Sequence, residues 1–263
     1  MSERDPFYVG YLPLPKSIKR FILPWLVGNL VLAVGIAAVV ASQHREPGDG
    51  VWDTGQVVTI EGELSVDPYP LLRADGKTYI LVEQGKIGVQ ARLQEAKLSN
   101  DAVQARGFLI ERDGRTVLEL DGTDINALVS LGKVYASAPG PDDLPTPISS
   151  RAEASDLGTH TLRGEIVDPK CYLGVMQPGD GKTHKVCATL CIKGGIPPML
   201  LVRDGKGTTA AYLLTDGQGN AFPESHHEYI ADPIELAGQV LRDGDLLILR
   251  ADLDSIRRLG VDN

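Results

Sequence analysis

Apolar positions are most concentrated in one uninterrupted run near the N-terminus. Residues 21–42 (FILPWLVGNLVLAVGIAAVVAS) carry no charged side chain, and a helix of this length can cross the hydrocarbon core of a bilayer. Lys16, Lys19 and Arg20 precede the run and few cations follow it, so the positive-inside rule predicts a cytoplasmic segment over residues 1–20. A cleaved signal peptide is the alternative, although its apolar region usually spans only about 7–15 residues. We expect a single transmembrane helix over residues 21–42.

Beyond this run, apolar and polar positions alternate over short distances, as is typical of half-buried strands. Asp75 with Gly76, and Asp113 with Gly114, each stand between two such alternating segments. Asp–Gly pairs in this position predict tight hairpin turns. A short polar helix is predicted over residues 88–98, between the two hairpins.

The same order of segments returns in the second half of the chain. The sequence TLRGEI at 161–166 parallels TIEGEL at 59–64, and each half has an Asp–Gly turn before its last strand. Five short strands, with a helix or long loop between the third and fourth, are typical of an OB-like barrel. The sequence therefore predicts a mainly β protein in which two tandem OB-like β-barrels, residues 55–135 and 155–263, follow the transmembrane helix. The proline-rich segment 138–150 is expected to join them.

The cysteines provide the main candidate chemistry. All three, Cys171, Cys187 and Cys191, lie between the first and second predicted strands of the second half, where the first half has only a short turn. His184, Cys187 and Cys191 occupy helical positions i, i+3 and i+7, which share one face, and Cys171 can approach that face as a fourth group. Thiolates with an imidazole are typical zinc ligands, and copper is the alternative metal. A disulfide from Cys171 to Cys187 or Cys191, or three unreactive buried thiols, are the competing interpretations.

The residues around the cysteines predict a short helix and its surroundings. Thr183 is a candidate N-cap, and Gly194 marks the expected end of the helix. Asp168 is expected either to support the imidazole of a metal ligand or to form a turn. Lys182 and Lys185 would lower the pKa of the thiols if they lay close to them.

Other residue types that often bind ligands are assigned structural roles. His226 and His227 are expected to form an exposed loop pair, because their neighbours are polar. Adjacent side chains of an extended segment point to opposite sides, so the two histidines seldom bind one ion together. Met176 and Met199 are expected to pack in the core or in a loop rather than to bind copper. The sequence contains no spacing typical of a catalytic triad, of paired carboxylates or of a phosphate-binding loop. We therefore expect a non-catalytic role.

One motif in the second half extends beyond the cysteines. The pattern G-x-I-x-D-x-x-C, followed by H-x-x-C-x-x-x-C-x-x-G-G and an apolar strand, resembles that of an uncharacterised family of secreted bacterial OB-like domains. The matching residues are Gly164, Ile166, Asp168, Cys171, His184, Cys187, Cys191, Gly194 and Gly195. The resemblance covers about residues 162–256 and implies a small extracytoplasmic β-barrel, with no activity attached to it.

Composition narrows the range of partners. The chain of 263 residues has a net charge of −9 and few aromatic residues, 5%, which disfavours binding to nucleic acid. The expected partners are the lipid bilayer, which the apolar helix would cross, and a membrane protein complex, with a redox enzyme as the expected complex. Gly28, Asn29 and Gly35 would offer small and polar contacts to other membrane helices.

Together these features predict an accessory or assembly subunit of a membrane redox complex. It would span the bacterial inner membrane once, with its C-terminal domains in the periplasm. The alternatives are a periplasmic thiol redox protein, a metal-handling protein and a plain ligand-binding OB module. Loss of metal or redox function on mutation of Cys187 and Cys191 would separate the first two alternatives from the third.

Overall fold

A computed structural model describes residues 15–43, 49–132, 154–204 and 209–260. The chain divides into two compact units, residues 1–46 and residues 47–263. The proline-rich joint predicted over 138–150 and most of the predicted cytoplasmic segment lie outside the described residues.

The first unit contains helix α1, Lys16–Gln43. It is the one helix in the described part of the chain that is long and apolar enough to cross a membrane. By length and composition it can serve as a membrane anchor or as a signal sequence. The helix begins five residues before the predicted span, and Pro24 therefore lies beyond its first turns. Because proline has no backbone N–H, Pro24 leaves the carbonyl four residues earlier without its helical hydrogen bond.

The first half of the second unit is a seven-stranded sheet with one short helix, α2, Gln90–Ala96. Its strands are β1 Val51–Trp52, β2 Val58–Ser65, β3 Leu71–Ala74, β4 Lys77–Val82, β5 Ala102–Arg112, β6 Arg115–Leu120 and β7 Leu128–Ser130. They follow the order β1-β5-β2-β3-β4-β6, and β7 pairs with β5. The pairing of β4 with β6 is parallel, and the others are antiparallel.

The second half forms a closed barrel of five strands in the order β10-β12-β11-β8-β9. The strands are β8 Ser155–Val167, β9 Met199–Arg203, β10 Thr209–Asp216, β11 Pro233–Asp243 and β12 Leu246–Arg258. The pairing of β10 with β12 is parallel, as is that of β4 with β6. The mainly β prediction and the barrel in the second half are therefore confirmed.

The prediction of a second barrel in the first half is not confirmed. Strand β5 pairs not only with β2 and β6 but also with the short strands β1 and β7. These additional pairs make the first half a seven-stranded sheet. The extra strands are only two and three residues long and carry little alternation to reveal them.

The turns of the first half form as predicted. Asp75 and Gly76 have φ angles of 51° and 75°, and Asp113 and Gly114 have φ angles of 53° and 72°. Positive φ at both central residues is the geometry that Asp–Gly hairpins favour. The predicted polar helix is α2, which ends at Lys97 in the left-handed conformation, φ 55°.

The sheet and the barrel share a hydrophobic core. One cluster of buried side chains contains Ile80 and Ile110 of the sheet and Tyr172 and Met199 of the second half. Tyr69 lies in the loop before β3. Its hydroxyl donates a hydrogen bond to the carbonyl of Leu214 at 2.8 Å and accepts one from the N–H of Phe222 at 2.7 Å. Burial raises the pKa of Tyr69, so the phenol stays protonated and keeps donating. These contacts fix the sheet against the barrel.

The segment with the cysteines is an insertion into this plan. In the sheet, β2 and β3 are joined by residues 66–70, whereas in the barrel β8 and β9 are joined by residues 168–198. This connection carries a π-helical turn, Cys171–Val175, a 3-10 turn, Lys182–His184, and helix α3, Lys185–Lys193. The predicted location of the insert is confirmed.

Candidate metal centre

Two elements of the β8–β9 connection bring the cysteines together. Cys171 begins the π-helical turn that follows β8, and Cys187 and Cys191 lie one turn apart on α3. Gly179 lets the chain fold back between these elements, because a Cβ at this position would lie 2.6 Å from the carbonyl oxygen of Cys171. The local fold thus packs α3 against the turn with the three thiols between them.

The three sulfur atoms lie within 4.8 Å of one another. The Sγ atoms of Cys171 and Cys187 are 3.9 Å apart, and none of the cysteines is joined in a disulfide. Two thiolates on one tetrahedral zinc ion, each about 2.3 Å from it, are separated by about 3.8 Å. The observed sulfur spacing therefore suits a shared metal ion.

His184 and Asp168 form a second group beside Cys171. Nε2 of His184 lies 3.0 Å from Oδ2 of Asp168, and both side chains are buried. The other carboxylate oxygen of Asp168 accepts the backbone N–H of Cys171 at 2.8 Å. The candidate ligand atoms of Asp168, Cys171 and His184 also lie within 4.8 Å of one another. Asp168 therefore has both of the roles that were expected as alternatives, since it contacts the imidazole and closes a turn. Binding of one ion by Cys171, His184, Cys187 and Cys191 together stays a prediction.

The thiols interact electrostatically. The Cys171 thiol donates a hydrogen bond to the sulfur of Cys191, which raises the pKa of Cys171, and burial and the nearby Asp168 carboxylate raise it further. The same hydrogen bond lowers the pKa of Cys191. An ion bound by all three sulfurs requires all three thiols to lose their protons.

The cation that contacts the thiols comes from the first half of the chain. Nζ of Lys86 lies 2.6 Å from Sγ of Cys187, and this hydrogen bond raises the pKa of Lys86. Of the two predicted cations, Lys185 instead pairs with Asp232 at 2.8 Å, and Lys182 is exposed. Because 101 residues separate Lys86 from Cys187, no local pattern could have indicated this contact.

Helix α3 differs from its prediction at one end. Thr183 lies inside the 3-10 turn, and α3 begins at Lys185 with His184 at the N-cap position and no side-chain cap. At the other end Gly194 is the C-cap residue, and its N–H binds the carbonyl of Leu190 at 2.9 Å. The predicted start is thus wrong and the predicted end confirmed.

The adjacent histidines lie elsewhere in the fold. His226 and His227 belong to the 3-10 turn Glu224–Tyr229 and are half-buried, so the predicted exposed loop is wrong. Both rings pack against Phe222 with centroids 6.1 Å away, and burial lowers the pKa of His227. Phe222 lies only four residues before His226, but its presence in the sequence does not by itself predict that the histidine rings are half-buried. Met199 is buried in the core as expected, whereas Met176 is exposed.

Comparisons with known proteins add no assignment. The resemblance of the cysteine motif to secreted OB-like domains stays a prediction. The chain has no match among family models, among curated proteins or among solved structures.

Proposed function

We propose that the chain is a membrane-anchored, extracytoplasmic protein whose barrel holds a soft transition-metal ion. The convergence of three free thiols from two elements, with all sulfurs within 4.8 Å, is the observation that carries this proposal. An odd number of thiols cannot all pair as disulfides, whereas three thiolates can share one ion. Zinc is the proposed metal, because it accepts thiolate ligands with an imidazole or carboxylate; copper(I), which also prefers thiolates, is the alternative.

The burial of the thiols favours a role in holding the ion rather than in hydrolysis. Cys171 and Cys191 are 4% and 1% exposed, and Cys187 is half-buried. A catalytic zinc ion keeps an open position for water, whereas a structural or storage site encloses the metal. Asp168 would orient the His184 ring, as carboxylates do for metal-binding imidazoles.

Metal content tests this proposal directly. Full-length protein purified in mild detergent without chelator is expected to carry near-stoichiometric zinc or copper, measured by inductively coupled plasma mass spectrometry. Cys187→Ser should lose most of the metal, since it removes one of three sulfur ligands. Val186→Ser, an exposed position on the same helix, should keep it. Metal-free wild-type protein with intact thiols would refute the metal function.

We also propose that the protein is an accessory subunit of a larger membrane oxidoreductase. Helix α1 supports this proposal, because it is apolar enough to cross a membrane and carries Gly28 and Gly35. Small residues seven positions apart leave room on one face for another helix. The proposed orientation places the C-terminal domains in the periplasm, following the cations at Lys16, Lys19 and Arg20.

Co-purification from native membranes tests this role. In mild detergent the protein is expected to migrate with a larger oxidoreductase, and replacing residues 16–43 by an unrelated membrane anchor should weaken the association. A Leu26→Ala variant, which keeps the two glycines, serves as the control and should associate normally. A native protein that migrates alone would refute the subunit proposal, and a C-terminal reporter active only in the cytoplasm would refute the orientation.

A thiol redox protein is the second candidate function. The contact of Lys86 with Cys187 favours it, because a cation beside a half-buried thiol stabilises the nucleophilic thiolate. In such a protein two of the thiols would be oxidised to a disulfide and pass two electrons and two protons to a disulfide-bearing partner. Protein that carries no metal and that forms a mixed disulfide through Cys187 would favour this function over metal binding.

A further inference from the structure

We propose that the first-half sheet, which contains no cysteine, completes the metal site of the barrel by placing the Lys86 ammonium against the Cys187 sulfur. This inference rests on the proposed metal function. In this role Lys86 positions a metal ligand and balances its charge. The lysine contacts the sulfur of Cys187, and the thiolates alone bind the ion.

The loop after β4 is seated on the C-terminal end of α3. The N–H of Gly88 donates to the carbonyl of Gly194 at 2.9 Å, and the Gln90 amide donates to the carbonyl of Gly195 at 3.1 Å. The two backbones approach so closely that a Cβ at Gly194 would lie 1.9 Å from the carbonyl oxygen of Lys86. These contacts hold Lys86 beside the helix that carries two of the three thiols.

A lysine from the second half of the chain holds the same loop. Lys170, next to Cys171 in the chain, donates to the carbonyls of Glu83 and Gly85, each at 2.8 Å. Its Nζ also pairs with Glu119 at 2.5 Å, and both side chains are buried. One lysine therefore crosses from the cysteine insert into the sheet while Lys86 crosses from the sheet to the cysteines. This reciprocal arrangement fixes the backbone of the loop, and the exposed Lys86 side chain extends from it to the sulfur.

Charge explains what the ammonium contributes. Three thiolates around a divalent ion leave a net charge of −1, and burying an unbalanced charge is costly. The Lys86 ammonium offsets this negative charge without displacing a ligand. Its hydrogen bond also withdraws electron density from the Cys187 sulfur, as donors to metal-bound sulfur do. Residues that support metal ligands in this way typically account for about 10–100-fold in metal affinity.

Cobalt binding to full-length protein in detergent tests the role of Lys86. Co²⁺ titrated into metal-free Lys86→Met is expected to bind about tenfold more weakly than to wild type. The sulfur-to-cobalt charge-transfer band should move to longer wavelength, because the sulfur has lost its hydrogen-bond donor. Lys86→Arg, which keeps a charged donor, should restore most of both properties. Lys193→Met removes an exposed lysine of the same helix, paired with Glu224 rather than with sulfur, and should behave as wild type.

The outcomes separate this inference from the function on which it rests. Wild-type protein that binds no Co²⁺ would overturn both the metal function and the role of Lys86. Equal affinity and an unshifted band in Lys86→Met would overturn only the role of Lys86. An equal loss in Lys86→Met and Lys193→Met would also overturn it, because general surface charge would then account for the effect. Thermal melting of each variant checks that the fold is kept, and the band position reports on the sulfur independently of stability.

Discussion

Replacing Lys170 by methionine is expected to lower the free energy of unfolding by about 3–5 kcal/mol, the usual cost of removing one partner of a buried ion pair. Lys170 and Glu119 have only 4% and 3% of their side chains exposed. The second carboxylate oxygen of Glu119 has no hydrogen-bond partner among the described residues. Without the ammonium, the Glu119 charge would be buried and unpaired, and the carbonyls of Glu83 and Gly85 would lose a donor.

Urea unfolding of the full-length protein in detergent, followed by circular dichroism, measures this cost. The double variant Lys170→Met with Glu119→Leu should recover much of the loss, because it buries no unpaired charge. Lys193→Met, which breaks an exposed pair, should cost less than about 1 kcal/mol. If Lys170→Met were as mild as Lys193→Met, Lys170 could not be the residue that anchors the cysteine insert to the sheet.

The parts of the fold that the sequence predicted are those that local chemistry decides. Asp75 with Gly76, and Asp113 with Gly114, adopt positive φ because these residue types tolerate it, and the alternating segments on either side pair as the turns require. The end of α3 at Gly194 follows the same logic. The pairings of β2 to β6 also follow those of β8 to β12 strand for strand, although internal duplication itself stays a prediction.

The parts that were not predicted depend on residues far apart in the chain. Strand β5 gains β1 and β7 as extra partners, and neither short strand has a pattern of its own. Lys86 reaches Cys187 only because the sheet packs against the barrel insert. The convergence of the cysteines was indicated by helical spacing, which is local, for Cys187 and Cys191. The expected approach of Cys171 to them had no local spacing behind it, because Cys171 lies on another element and reaches them through the tertiary fold.

Removing the metal is expected to loosen the β8–β9 connection while the barrel strands stay folded. A ligand present at about 1,000 times its Kd stabilises the state that binds it by about 4 kcal/mol, and here that state is the ordered connection with its thiols together. Tyr172, Leu173 and Ile196 are almost fully buried, so their packing should keep the connection attached to the core. The loss should therefore be concentrated around α3.

Hydrogen exchange measured with and without a chelator locates this effect. Amides of α3, Lys185–Lys193, should exchange faster in metal-free protein, whereas those of the paired strands β11 and β12 should be unchanged. Cys191→Ser should reproduce the faster exchange even in the presence of metal, because its sulfur is buried and no other thiol can replace it. Val186→Ser, exposed on the same helix, should exchange as wild type does in both states. Equal protection of α3 with and without metal would mean that packing alone orders the insert, and the thiols would then be free for redox chemistry instead.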